Sequence, residues 1–168
     1  MPTIGNHYAA KVCGVFIAKW YNIIASETIM SADAETDPQF IGLVESAFSL
    51  VLQSRSFAKI AESFTPKSFG NAKVEFESQD MRLLVARDRG LVAANVLPVN
   101  VSREWDPVEL IMEYFGVGLV GANSLDDQAT FLATQYKRVL AVITSEYPQY
   151  CEWRMCRFER NFRPIYPA

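Results

Sequence analysis

This chain predicts an α+β fold, a four-stranded antiparallel sheet with helices packed mainly on one face. Three observations carry the prediction. Residues 69–96 fall into short alternating apolar and polar segments, cut by the turn signals Ser78-Gln79-Asp80 and Asp88-Arg89-Gly90, the pattern of an antiparallel meander with one apolar face. The segments on either side carry apolar residues at helical spacing. Helices and strands are also segregated along the chain, which suits α+β rather than alternating βαβ units.

The elements follow in order. Asp37 is a good N-cap, and Pro38 stands at the first helical position, where its missing N–H costs nothing. Phe40, Ile41, Val44, Phe48, Val51 and Leu52 then recur at helical spacing, predicting one helix that ends near Arg55. Phe57 to Phe64 reads as a first strand, with Ile60 and Phe64 on one face and Lys59 and Ser63 on the other. Thr65-Pro66-Lys67-Ser68 is a turn. In the second strand, Ala72 to Ser78, Ala72, Val74 and Phe76 point inward while Lys73, Glu75 and Glu77 point to water. Strand three, Met81 to Arg87, sets Met81, Leu83 and Val85 against Arg82, Leu84 and Ala86, so its second face is only partly polar and reads as covered. Strand four runs from Leu91 to Leu97 and is closed by Pro98.

Asp106-Pro107 repeats the cap-then-proline start, opening a short helix that carries Leu110, Ile111, Tyr114 and Phe115 and stops at Gly116. Gly116 to Asn123 is a glycine-containing loop, and Ser124 caps a long helix through Leu125, Ala129, Leu132, Tyr136, Val139, Leu140 and Ile143. The organisation expected is an N-terminal extension over 1–36, a core domain over 37–146 and a tail over 147–168. The extension contains the apolar stretch 8–24, interrupted by Lys11 and Lys19, which reads as a buried or partner-seeking helix rather than a membrane span or secretory signal. Met30 is an alternative start, which would make residues 1–29 an upstream extension.

Composition narrows the function classes. Half of the 168 residues are hydrophobic and 21% are charged, as in a globular domain. The three cysteines, Cys13, Cys151 and Cys156, have neither zinc nor thioredoxin spacing and read as free thiols of a cytoplasmic protein. His7 is the single histidine, so no metal site and no cofactor is expected. A net charge of −3 argues against general nucleic-acid binding. Residues 30–62 hold five acids against two bases and 106–150 six against two, whereas 151–168 hold four arginines against two glutamates. Two acidic zones and a basic tail suit a protein partner.

Several constellations admit a functional and a purely structural reading. Arg87-Asp88-Arg89-Gly90 could grip an acidic partner through two guanidiniums; equally, Asp88 and Gly90 supply hairpin geometry while the arginines are solvated. Glu75 and Glu77 stand about 7 Å apart on one strand face, a pair that could do acid–base work, but alternation and the adjacent Lys73 already explain them as the wet side. In the tail, Arg154, Arg157, Arg160 and Arg163 recur every third residue with Trp153, Phe158 and Phe162 between them. On a helix this makes a basic, aromatic ridge for RNA; otherwise the aromatics dock on the sheet and the arginines pair with the acidic helices. Gly116-Val117-Gly118-Leu119-Val120-Gly121 matches G-x-G-x-x-G but follows a helix rather than a strand, the wrong context for a dinucleotide fold.

Phe69-Gly70-Asn71, Asp80-Met81-Arg82-Leu83 and Arg87-Asp88-Arg89-Gly90, followed by Trp105-Asp106-Pro107, span about residues 37–145 with their neighbours. In these elements the chain resembles a group of small bacterial proteins that are similar in size and composition to immunity proteins. The resemblance implies a non-enzymatic protein that binds and neutralises a cognate toxin. On that reading the partner-binding residues are Arg87, Arg89, Glu75 and Glu77, at exposed sheet positions. The alternatives are an RNA-binding accessory protein using Arg154, Arg157, Arg160 and Arg163, and an enzyme without a recognisable motif.

Overall fold

Asp37 does what its position predicts: its Oδ1 accepts the Phe40 N–H at 3.1 Å and Pro38 opens the helix. The computed structural model that shows this describes residues 36–68, 70–118 and 123–162, leaving aside the side chains of Asn161 and Phe162. The expected N-terminal helix with His7 and Cys13, the choice of Met30 as a start, Phe69, and Arg163 all lie outside the described residues.

The single helix expected over 38–55 is two, α1 (Pro38–Ala47) and α2 (Ser49–Ser54), joined at the fully buried Phe48. Backbone bonds from Phe48 to Val44 and from Leu52 to Phe48 carry across the junction. The exit is a Schellman turn: Phe57 N–H reaches Leu52 O at 2.9 Å and Ser56 N–H reaches Gln53 O. Ser56 stands at φ 53, where glycine is usual.

The strands are β1 (Ala58–Thr65), β2 (Asn71–Glu77), β3 (Met81–Asp88), β4 (Leu91–Pro98) and β5 (Asp106–Pro107), antiparallel and in chain order. The sheet therefore has five strands, not four. Asp106 and Pro107 pair with Val96 and Asn95 instead of starting a helix. The next helix, α3 (Val108–Tyr114), takes Pro107 as its N-cap, without a side-chain cap. The Asp106 carboxylate faces inward instead. A two-residue strand has no periodicity to read, and Asp-Pro resembles a helix start in either case.

Register sorts the side chains. Val74 and Phe76 on β2 align with Val85 and Leu83 on β3 and through them with Ala94 and Val96 on β4, and Ala72 shares their face. All are buried, and all belong to one cluster with Phe40, Val44, Phe48 and Val51 from α1 and α2, Ile111 from α3, and residues of two further helices, α4 (Leu125–Ile143) and α5 (Tyr147–Phe162). The helices thus share one face of the sheet. Leu84, Ala86, Asn95 and Leu97 are buried on the other face and stand apart from that cluster, so the half-apolar face of β3 is indeed covered.

The two sheet edges differ. Beyond β4, where β5 ends, the fully buried Gln128 of α4 accepts the Ala94 N–H through its Oε1 at 3.0 Å. At the other edge β1 pairs with β2 alone among the described strands. A register shift between Lys59 and Ala61, an exposed lysine at Lys59 and a Lys59–Glu62 ion pair at 2.7 Å blunt it. These are the devices that keep an exposed edge from recruiting another strand.

Ser124 forms a capping box with Asp127 at the start of α4. The serine's two hydrogen bonds hold the Asp127 carboxyl below the usual carboxylate range. At the end of α3, Gly116 at φ 70 completes a second Schellman turn, with Gly116 N–H on Glu113 O and Val117 N–H on Met112 O.

Candidate protein-binding surface

Two polar centres organise the domain, and the residues singled out in the sequence divide between them. The first ties α1 to the end of the sheet. Arg87 projects from the core face of β3: its Nη2 meets Asp37 Oδ2 at 2.6 Å, and its Nε and Nη2 donate to Gly70 O at 2.9 and 2.7 Å. Its guanidinium also lies 5.1 Å from the Phe40 ring centroid. The Phe40 N–H and then the Arg87 guanidinium hold the Asp37 carboxyl below its ordinary value. Arg87 is therefore a brace between helix and turn rather than a solvated arm.

Asn71 completes the arrangement. Its Nδ2 donates to Asp88 Oδ1 at 2.8 Å and its Oδ1 accepts the Arg89 N–H at 3.0 Å. Two motifs singled out in the sequence, Gly70-Asn71 and Arg87-Asp88-Arg89-Gly90, thus lock onto each other. The β3–β4 connection has two central residues, Arg89 at φ 50 and Gly90 at φ 84. Positive φ at both positions is the requirement of a type I′ hairpin, whose first place favours Asn, Asp or Gly. Arg89 fills it instead, with its side chain exposed. Beside it, Leu91 is 80% exposed, the most exposed large hydrophobic residue described. Sequence reasoning singled out Arg89 but missed Leu91, because strand alternation alone does not say which apolar positions remain uncovered.

Glu75 and Glu77 stand on the opposite face of the sheet from Arg87. Arg82 lies across from Glu77 on β3 and bonds Glu75, with Glu77 3.6 Å from its Nε. Arg82 is also 5.4 Å from the Trp105 ring centroid. The four residues expected to bind a partner are thus distributed over both faces and the tip. Of the four, Arg89 alone forms no ion pair among the described residues.

The second centre lies beneath α5. Asp106 is fully buried; its Oδ1 meets Arg154 Nη1 at 2.9 Å and its Oδ2 meets Arg103 Nη2 at 3.1 Å. Arg103 also donates to Ile143 O at 2.6 Å and lies 3.3 Å from the Tyr147 ring centroid. Burial pushes the Asp106 carboxyl up to about 6, against the pull of Arg154 and Arg103. Burial also raises the Tyr147 and Tyr150 hydroxyls. Tyr150 and Trp153 pack edge-on against Tyr114 of α3, and Arg157 Nε meets Glu113 Oε1 at 2.6 Å. Arg154 and Arg157 are therefore committed inward, Trp153 docks on a helix rather than on the sheet, and Arg160 is exposed, bonding back to Cys156 O.

Neither Cys151 nor Cys156 is in a disulfide among the described residues. No group of three or more His, Cys, Asp or Glu that could hold a metal occurs among the described residues, and no helix there is long and apolar enough to cross a membrane. The chain matches no protein-family model, no curated protein and no solved structure.

Proposed function

We propose that this protein is a non-enzymatic protein-binding module, an immunity-type inhibitor of a bacterial toxin acting in the cytoplasm, and that it meets its partner at the β3–β4 hairpin tip. Arg89 carries the reading. A side chain in the left-handed region costs about 1–2 kcal/mol relative to glycine, and turn geometry alone would place Asn or Gly there. An exposed arginine with no internal carboxylate partner, held rigidly by Asn71 beside the exposed Leu91, has the makings of a preorganised anchor. Strain retained at an exposed position points from geometry toward function.

RNA binding through the tail is the less supported reading, because Arg154 is buried against Asp106 and Arg157 is paired with Glu113. Deleting 151–168 would strip Trp153 and Arg154 from the packed body, so Arg160→Glu is the sound probe of that tail.

The test is co-purification of the full-length chain from its source cells after nuclease treatment, with Arg89→Asn and Leu91→Ser alongside the parent. The expected result is one protein at equal stoichiometry with the parent, lost with both variants, while Arg89→Asn unfolds at the same or a higher temperature. Retention by both variants, or recovery of nucleic acid sensitive to Arg160→Glu, refutes the reading.

A further inference from the structure

The cations of the described residues fall into two groups. Lys59, Arg82, Arg87, Arg103, Arg154 and Arg157 each pair with a carboxylate of the same chain. Arg55, Lys67, Lys73, Arg89, Lys137, Arg138 and Arg160 form no ion pair among the described residues, and of these Lys67, Lys73 and Arg89 stand at the same end of the sheet. Lys67 is exposed in the β1–β2 turn, which closes with the pairing of Thr65 and Asn71. Lys73 shares a strand face with Asn71, one repeat or about 7 Å along β2. Asn71 in turn holds the Arg89 backbone.

Of the acids at this end, Asp37 pairs with Arg87 and Glu62 with Lys59, while Asp88, opposite Leu91 in register, is hydrogen-bonded by Asn71 and keeps its charge. Three unpaired cations against Asp88 leave a locally positive sheet end that also carries the exposed Leu91, on a chain whose net charge is −3. That local inversion of sign is a complementarity signal: it steers encounter and sets specificity.

We infer that the segment seated on this tip is an acidic protein segment, carrying carboxylates on either side of one apolar side chain that covers Leu91. The inference rests on the proposed binding function and names the chemistry of its contact. A polyanion without apolar groups would leave Leu91 in water.

The probe is the acetylated pentapeptide Asp-Glu-Leu-Glu-Asp, added to the ¹⁵N-labelled full-length chain. Controls are Lys-Lys-Leu-Lys-Lys, Asp-Glu-Ser-Glu-Asp and a pentathymidylate. At about 5 mM peptide, enough to register millimolar affinity, amide shifts are expected within 65–73 and 88–92 and nowhere contiguous elsewhere. Arg89→Glu should weaken binding at least about fivefold, the effect of removing one exposed charge pair and adding a repulsion, and added salt should weaken it too. Equal shifts with the lysine or serine peptide, stronger shifts with pentathymidylate, or none with the acidic peptide overturn the inference. If a partner is captured through Arg89 and Leu91 but the acidic peptide is silent, only the inferred chemistry fails. If the peptide binds at the tip but no protein co-purifies, the proposed function fails instead.

Discussion

Arg154→Met is the perturbation that examines the buried centre most directly. Methionine keeps much of the side chain's volume and removes its charge, leaving Asp106 at 0% exposure with Arg103 as its remaining partner. Removing one partner of a buried pair typically costs about 3–5 kcal/mol. The surviving Arg103 contact at 3.1 Å places the expectation at the lower end, about 3 kcal/mol at pH 7.5. For a chain of this size that corresponds to a fall of roughly 10 °C in Tm. The cost should depend on pH in a definite sense. With its carboxyl raised to about 6, folded Asp106 holds a proton that the unfolded chain has already released. Its contribution to stability is therefore greatest below the unfolded value near 3.8 and declines as pH rises through 6. Without Arg154 the carboxyl rises further, extending that decline to higher pH. The difference between parent and variant should accordingly shrink toward pH 5, to the packing loss of about 1 kcal/mol. Urea unfolding at both pH values, with equal m-values, measures this. A loss under about 1 kcal/mol at pH 7.5, or the same loss at pH 5, would refute the argument.

Other variants test the remaining structure. Ser56→Gly should stabilise the protein by about 1 kcal/mol in thermal or urea unfolding, because Ser56 occupies the left-handed position of a Schellman turn. Tyr150→Phe should be neutral or stabilising by about 1 kcal/mol, since the Tyr150 hydroxyl is buried without a hydrogen-bond partner among the described residues; a clear loss by the same assay would show that the hydroxyl is satisfied. Ser124→Ala should cost about 1 kcal/mol through the lost helix cap, read as a shift in urea midpoint. Asp37→Ala should lower Tm at pH 7 and lose its effect in acid. The Asp37 carboxyl is held below its ordinary value, so its stabilisation is present above the unfolded value and disappears as pH falls through the folded one.

What was readable in the sequence, and what was not, has a physical division. Alternation in Ala72-Lys73-Val74-Glu75-Phe76-Glu77 announced both the strand and its buried face, because a two-residue period has only one structural solution. Asp37-Pro38 and Ser124 announced their helices through local hydrogen bonds that three or four residues suffice to define. Asp106 misled for the same reason: a local rule assigned its carboxylate to a helix cap, whereas partners at 103 and 154 claimed it. The threefold spacing of Arg154, Arg157 and Arg160 shows the same limit. Their spacing is uniform, but Arg154 and Arg157 meet acids that only the tertiary fold brings near, and Arg160 does not. Side-chain pairing across 44 or 48 residues leaves no local trace.

The hairpin tip sets stability and recognition against each other. At Arg87 they agree: three hydrogen bonds hold the helix start to the turn, so its retention needs no partner to explain it. At Arg89 they diverge, because the left-handed backbone that Asn71 and Gly90 impose disfavours a long side chain. Arg89→Asn therefore separates the two readings more sharply than charge reversal does. If Arg89 is only a solvated turn residue, asparagine should raise stability by about 0.5–1 kcal/mol with no other consequence. If it is an anchor, the same variant gains that stability and loses the partner. A variant that is more stable in urea yet no longer retains the co-purifying protein would exclude misfolding as the cause, leaving the guanidinium itself as the contact. A variant that gains stability and keeps the partner would return Arg89 to the scaffold and leave Leu91 to account for the surface alone.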